Sequence, residues 1–505
     1  MVPRRLFLGG ASVLAMLPVS LATTGASDAI KPSREGHTGD QIAARDALNV
    51  ARSKTSTNSD APSRYAPLTG NIIHFIGYGE SLEMGWYGDP VLSTTQPFDN
   101  LMLGQATRAA SNSSKTPIST TWVPTGPVGA NGVYPFEPLI AVLEDDNNPT
   151  MGETASVAAL NYLRRAYLAQ TGQSADRHCH FVVTDCGIGG RTIAELSKDA
   201  DPDIYNRLLD AAAAVKQAAQ ARGLTYQFGG VLWLHGEADI EDGVSYSAYA
   251  AAFKQLQQDV LSDILYGIAG APVGTLVPWF CYQPDPDRAD LTIAVDQFLL
   301  DWSNTATSDL YLAGPSYQYP DHSVHLTANG YRWDGNQFGK AMTAVLIGQL
   351  APRALQMTSA TFQHKSILVD FYVPVLPLII GDACVQLTKT TFQNLGFIVF
   401  DDDGEVPIES VAIVGAATVQ INTKKLIGSN PTLQAGDNLT GNQDWGTNIC
   451  DSDATLAVDG YVYVAGEQEP GEDITTWNGA PLVGYPYPLN NYLAVGSVAI
   501  TAEPA

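Results

Sequence analysis

Cysteine is scarce in this chain: five residues in 505, none of them paired as CxxC. That spacing excludes a zinc ribbon, and the odd, sparse count argues against a disulfide framework. Cys179, Cys186, Cys281, Cys384 and Cys450 are therefore expected as buried thiols rather than as a Cys179–Cys186 bridge. Basic residues are also few, 27 Lys and Arg against 52 Asp and Glu, for a net charge of −25. A chain so acidic, with no local basic patch, is not built to hold nucleic-acid phosphates or an anionic membrane surface. Charged residues make up only 16% against 45% apolar, so a sizeable core is expected and disorder is not. No membrane span is expected. The longest apolar run, Ala11 to Leu21, falls well short of the roughly 20 residues a spanning helix needs.

That run has a meaning of its own. It follows Arg4-Arg5-Leu6-Phe7-Leu8 and precedes small residues at Ala22 and Ala26. A basic start, a short apolar stretch and a small-residue region describe a secretory signal over 1–26, here of twin-arginine type. Export to the periplasm or the medium is the corresponding expectation. Residues 27–67 are polar and aperiodic, and read as a linker or loosely docked arm.

From Asn71 onward, short β-rich apolar runs alternate with helical segments. The runs are Asn71 to Gly77, His180 to Thr184, Gly229 to Leu234, Pro272 to Cys281 and Asp309 to Ala313. Such alternation predicts an α/β domain over 68–350, a parallel sheet with helices on both faces. Sites on such sheets gather at the carboxyl ends of the strands. The stretch Trp86 to Pro149 breaks the rhythm. Its Tyr87, Phe98, Trp122, Tyr134 and Phe136 either offer a platform for a sugar or pin a long loop to the core. After residue 350 the runs are β-rich and turn-punctuated, predicting an all-β, sandwich-like accessory domain over 351–505.

Four segments carry chemistry. Ser81 lies in Gly79-Glu80-Ser81-Leu82-Glu83-Met84-Gly85, directly after the first strand. A serine there is exposed at the functional edge, but it needs a base to become a nucleophile. This is not the GxSxG elbow, because Glu83 stands where that motif has glycine. Gly189-Gly190 follow the second strand, where backbone N–H groups can meet a developing oxyanion. His235-Gly236-Glu237-Ala238-Asp239 follow the third. His325 precedes the last helix of the domain, and Asp321 four residues earlier can orient it as base.

In this order the four segments resemble the SGNH hydrolases, and among them the sialate O-acetylesterase-like and carbohydrate esterase family six group. That group opens on GQSN-x-x-G, matched by Gly79, Ser81 and Gly85. Its Gly-Gly turn with Thr or Ser is matched by Gly189-Gly190 and Thr192, and its Gln-Gly-Glu-Ser-Asp stretch by residues 235–239. Its Asp-x-x-His element before Gly-Tyr is matched by His325 and Gly330-Tyr331. The chain departs from the pattern at four points. Glu80 and Leu82 replace Gln and Asn, and His235 replaces a Gln that helps hold the oxyanion. His322 occupies the acid position, which leaves Asp321, or failing it Glu237, as orienter.

The resemblance implies a three-layer, flavodoxin-like SGNH domain that removes acetyl groups from a carbohydrate. It implies Ser81 as nucleophile and His325 as base, with oxyanion donors at Gly189, Gly190 and His235. It requires no metal or cofactor. An acetylated glycan is the implied partner. Two other readings are a glycan-binding surface or tail-fibre-like protein with a decayed hydrolase domain, and a lipid esterase or lysophospholipase.

Overall fold

The computed structural model describes residues 36–56, 64–110, 117–144, 150–285, 292–385, 387–436, 446–465 and 474–503. The signal-like segment 1–26 lies outside them. An α-helix, α1 (Gly39–Ser56), is followed by a seven-stranded sheet: β1 (Ile72–Gly79), β2 (Leu101–Leu103), β3 (Phe136–Pro138), β4 (His180–Asp185), β5 (Tyr226–Leu234), β6 (Trp279–Gln283) and β7 (Leu310–Pro315). Its order is β3-β2-β4-β1-β5-β6-β7, parallel throughout except for β3 at the edge. Every residue of β1 is buried, as expected for the central strand of a sheet covered on both faces. The helices that accompany the sheet are α2 (Ala155–Thr171), α3 (Ile193–Leu196), α4 (Asn206–Gln220), α5 (Glu237–Glu241), α6 (Tyr246–Val260), α7 (Ala294–Ser303) and α8 (Ala328–Leu346).

α8 matters most for the site, since it begins three residues after His325. Thr327 caps it, its hydroxyl accepting from Gly330 N at 3.1 Å. Gly335 and Gly339 let α8 press against α2. A Cβ at these two positions would stand 2.2 Å from Ala155 O and 2.4 Å from Tyr162 Cβ. No helix among the described residues is long and apolar enough to cross a membrane.

The all-β unit expected after residue 350 is present. Its main sheet has eight strands, and the passage 404–413 supplies both edge strands. Val406 N donates to Val399 O at one edge, and Ile408 pairs with Thr423 at the other. The sheet thus curls on itself around Val369, Phe371, Phe397, Val399, Ile421 and Leu433. The core of the α/β unit continues into Trp477, Tyr487, Leu489 and Val495 of the C-terminal part.

The expected linker differs from the structure. Residues 39–56 are helical, and α1 docks on the β unit. Arg45 clasps Asp370 at 2.6 and 2.8 Å, and the Asp46 carboxylate accepts from Ala416 N and Ala417 N. Hydrogen bonds and ion pairs supply much of this docking, so the helix carries little of the apolar stripe that makes a helix legible in sequence. All five cysteines are buried thiols.

Candidate active site

The site stands at the carboxyl end of β1. Gly79 ends that strand with its Cα against β5, where a Cβ would fall 1.8 Å from Leu234 O. The chain then turns tightly, Trp86 N donating to Ser81 O at 3.2 Å and Met84 N to Glu80 O at 3.2 Å. Ser81 sits in this turn. His325 comes from the short hairpin Asp321–His322/His325–Leu326, which Ser323 turns at φ +77°. The structure brings the two together, with His325 Nε2 2.8 Å from Ser81 Oγ. Burial, helped by neighbouring His322, pushes the His325 pKa down to about 4. The imidazole is therefore neutral near pH 7 and able to accept the Ser81 proton.

Two aromatic rings face that imidazole. Trp86 stacks on it, with centroids 5.7 Å apart and planes 27° apart, and Tyr87 tilts against it at 5.3 Å. Tyr87 has a left-handed φ of 59°. Tyr331 of α8 fixes the backbone between them, its hydroxyl donating to Trp86 O at 2.8 Å. Arg108 anchors the same turn from the long insertion, donating to Met84 O, Gly152 O and Val142 O. The insertion's Trp122 is buried and donates to Asp185 O, so that ring pins the loop to the core. Tyr87 instead is partly exposed beside the base. Trp86 and Tyr87 were legible as aromatics in sequence, but nothing there placed them on a histidine more than 200 residues onward.

The Gly189-Gly190 turn lies against the same group. Ile188 N donates to Gly79 O, and Gly189 packs on Trp86, where a Cβ would meet the indole at 2.6 Å. Gly190 is exposed, with φ +67° and open space around its Cα. Glu83 ties this turn to the Ser81 turn, its carboxylate accepting from Cys186 N at 3.1 Å and Gly187 N at 2.8 Å. Sequence reading noted Glu83 only as a missing glycine.

Three expectations need correction. His235 is fully buried and neutral, its pKa pushed down to about 3 by burial. Its Nε2 donates to Arg191 O at 2.9 Å, and its Nδ1 accepts from Tyr249 Oη at 3.0 Å. With both ring nitrogens engaged, it has no donor left for an oxyanion. Glu237 lies behind the nucleophile, taking the Tyr282 hydroxyl at 2.6 Å and facing Glu80. It does not reach His325. Asp321 is buried in the hairpin opposite Leu326. Among the described residues no carboxylate forms an ion pair with His325. Adjacent side chains point to opposite sides of a hairpin strand, and a spacing of four rather than three misplaces the acid.

Residues 168–344 match the family model described as carbohydrate esterase, sialic acid-specific acetylesterase. The match contains Gly189, Gly190, His235 and His325, and begins after Ser81. No curated protein matches the chain. Among solved structures, a carbohydrate acetylesterase from Xanthomonas citri is 13% identical with a TM-score of 0.49, the alignment covering 84% of this chain and 80% of that one. A protein from Arabidopsis thaliana is 16% identical with a TM-score of 0.35, covering 55% and 98%. NanS is 14% identical with a TM-score of 0.35, covering 57% and 99%. The resemblance is borne out over 168–344, which holds the last three of the four segments, and with it carboxylic ester hydrolysis as the class of activity.

Proposed function

We propose that this protein is an exported carbohydrate O-acetylesterase that works by acyl transfer through Ser81. The observation that carries the reading is the Ser81–His325 contact of 2.8 Å at the end of the central strand. The acetylesterase match over the rest of the domain supplies the substrate class.

The steps follow from the groups in place. Neutral His325 takes the Ser81 proton as Oγ attacks the acetyl carbonyl. Backbone N–H groups of Ser81 and the Gly189-Gly190 turn receive the oxyanion, and one such donor is worth roughly 100- to 1,000-fold in rate. As the acetyl C–O bond breaks, the imidazolium gives its proton to the leaving sugar oxygen, which departs as a hydroxyl. Water, deprotonated by the same imidazole, then releases acetate and restores Ser81. Export rests on the twin-arginine-like start at Arg4-Arg5.

The test is acetate release from a panel of acetylated glycans by wild type and Ser81→Ala. Release by wild type and its loss in the variant support the reading. Preference for long-chain acyl esters would instead make this a lipid esterase. Glycan binding without hydrolysis of any ester would make it a binding protein with a decayed site.

A further inference from the structure

A serine hydrolase needs its base held in one orientation and needs the imidazolium stabilised as it forms. A carboxylate on the second ring nitrogen commonly does both. Around His325 those tasks fall to other groups. Trp86 lies face to face with the imidazole at 5.7 Å and Tyr87 tilts against it at 5.3 Å, both within the roughly 6 Å over which an aromatic face attracts a cation.

The backbone around these rings is built to hold them. Gly85 has φ +75°, and a Cβ there would fall 2.1 Å from Glu153 O. Gly88 packs on the same strand of backbone, its Cβ position 2.6 Å from Glu153 O. Tyr87 N donates to Thr150 O at 2.9 Å and Gly152 N to Gly85 O at 3.1 Å. Tyr87 keeps a left-handed conformation that costs a bulky residue energy, a kind of strain that collects at working sites. Gly189 leaves room for the indole edge on its other side.

We infer that Trp86 and Tyr87 form an aromatic clamp that positions His325 and stabilises its imidazolium in place of a carboxylate partner. The inference rests on the acyl-transfer reading above. No bond is made or broken by the clamp. The proton moves from Ser81 Oγ to His325 Nε2 and back to the leaving oxygen, and the clamp lowers the free energy of the intermediate cation. The titratable group that acts on the ring from the hairpin is His322, while Asp321 pairs across the hairpin with Leu326. Asp89, beyond the Trp86–Tyr87 turn, acts on His322.

A truncation such as Trp86→Leu would also admit water, so shape must be kept while the ring's field is removed. Replacing Trp86 by 5-fluoro-, difluoro- and trifluorotryptophan does this. kcat/KM on a small acetyl ester should fall stepwise with fluorination, by about 5- to 30-fold in all. The His325 imidazole, titrated by NMR, should lose its proton at progressively lower pH. Trp86→Phe should keep more activity than the trifluoro protein, because Phe retains a negative face. Asp321→Asn should lose less than the trifluoro protein.

Unchanged rates and titration across the fluorination series would overturn the clamp. So would a loss in Asp321→Asn approaching the roughly ten-thousandfold of a removed triad carboxylate. The NMR titration needs no turnover. A wild type inactive on every ester would therefore sink the esterase reading while leaving the clamp to be decided by the titration alone.

Discussion

The depressed His325 pKa makes a quantitative claim about how activity responds to acid. The perturbation is pH itself, applied between about 3.5 and 8. An ordinary imidazole, near 6.5, is only about 3% neutral at pH 5. One at about 4 is about 90% neutral there. At pH 5 this protein should thus keep about thirty times more of its base in the working form than an exposed histidine would allow. The assay is kcat/KM on a small, soluble acetyl ester, which reports the free enzyme's base. Activity is re-measured at neutral pH after each acid exposure, so that unfolding is not mistaken for titration. The profile should be flat down to about pH 5 and half-lost near about 4. His322→Gln removes the smaller of the two causes, so the limb should move up only part of the way toward 6.5. An acid limb centred at 6.5 or above in wild type would refute the reasoning. It would mean that the ring is solvated, or that a carboxylate compensates the cost of its burial.

Glu237→Gln tests the buried carboxyls behind the nucleophile. Burial raises the Glu237 pKa from 4.5 to about 7. The folded state therefore holds a proton that the unfolded chain gives up, and stability falls as pH rises from about 4.5 through 7. At about 1.4 kcal/mol per pH unit the loss is about 3 kcal/mol. Denaturation midpoints should drop between pH 4.5 and 8.5 in wild type and change less in the variant, and parallel curves would refute this. Arg108→Met removes the donor to three main-chain carbonyls, at about 1–3 kcal/mol for each group left unpaired. Both the unfolding midpoint and kcat should fall, because Met84 belongs to the Ser81 turn. Tyr463 is 59% exposed on a loop whose Val462 bonds in both directions to Asn329, four residues beyond His325. Tyr463→Ala should raise KM severalfold for an acetylated oligosaccharide and leave kcat alone, and equal KM values would remove the accessory unit from substrate binding.

How far the sequence could be read depended on what held each element in place. β1 and β4 were legible because a strand buried on both faces must be largely apolar, and Asn71 to Gly77 is such a run but for Asn71 and His74. The order of the four polar segments was legible because a parallel sheet brings successive strand ends to one edge. α1 was not, since Arg45, Asp46 and Asn49 dock it through polar contacts more than 300 residues distant. His235 followed the family pattern in position, yet its ring bonds to Tyr249 and to the Arg191 carbonyl. Those partners come from α6 and from the turn before α3, and no local spacing announces them. The relation of Asp321 to His325 failed for a simpler reason. An interval of four replaces an interval of three, and in a two-residue strand one position decides which side the carboxylate faces.

The departures from the family pattern are connected by charge. Glu80 stands where the pattern has Gln, and its Oε1 accepts from Gly236 N and Ala238 N as an amide oxygen would. Burial and the neighbouring Glu237 push its pKa up, which favours the protonated form, close to a Gln in shape and charge. His235 replaces a second Gln and is held neutral by its own burial. At the acid position an uncharged aromatic pair, not a carboxylate, covers the base. Each change keeps fixed negative charge away from Ser81 and His325. The charges that then matter are the two created by reaction, the oxyanion and the imidazolium. In a site of low dielectric they attract each other strongly, and each has its own neutral partner, the glycine turn for one and the aromatic faces for the other. A hydrolase domain drifting out of use has no reason to make such compensating substitutions together, so the departures themselves argue for a working esterase.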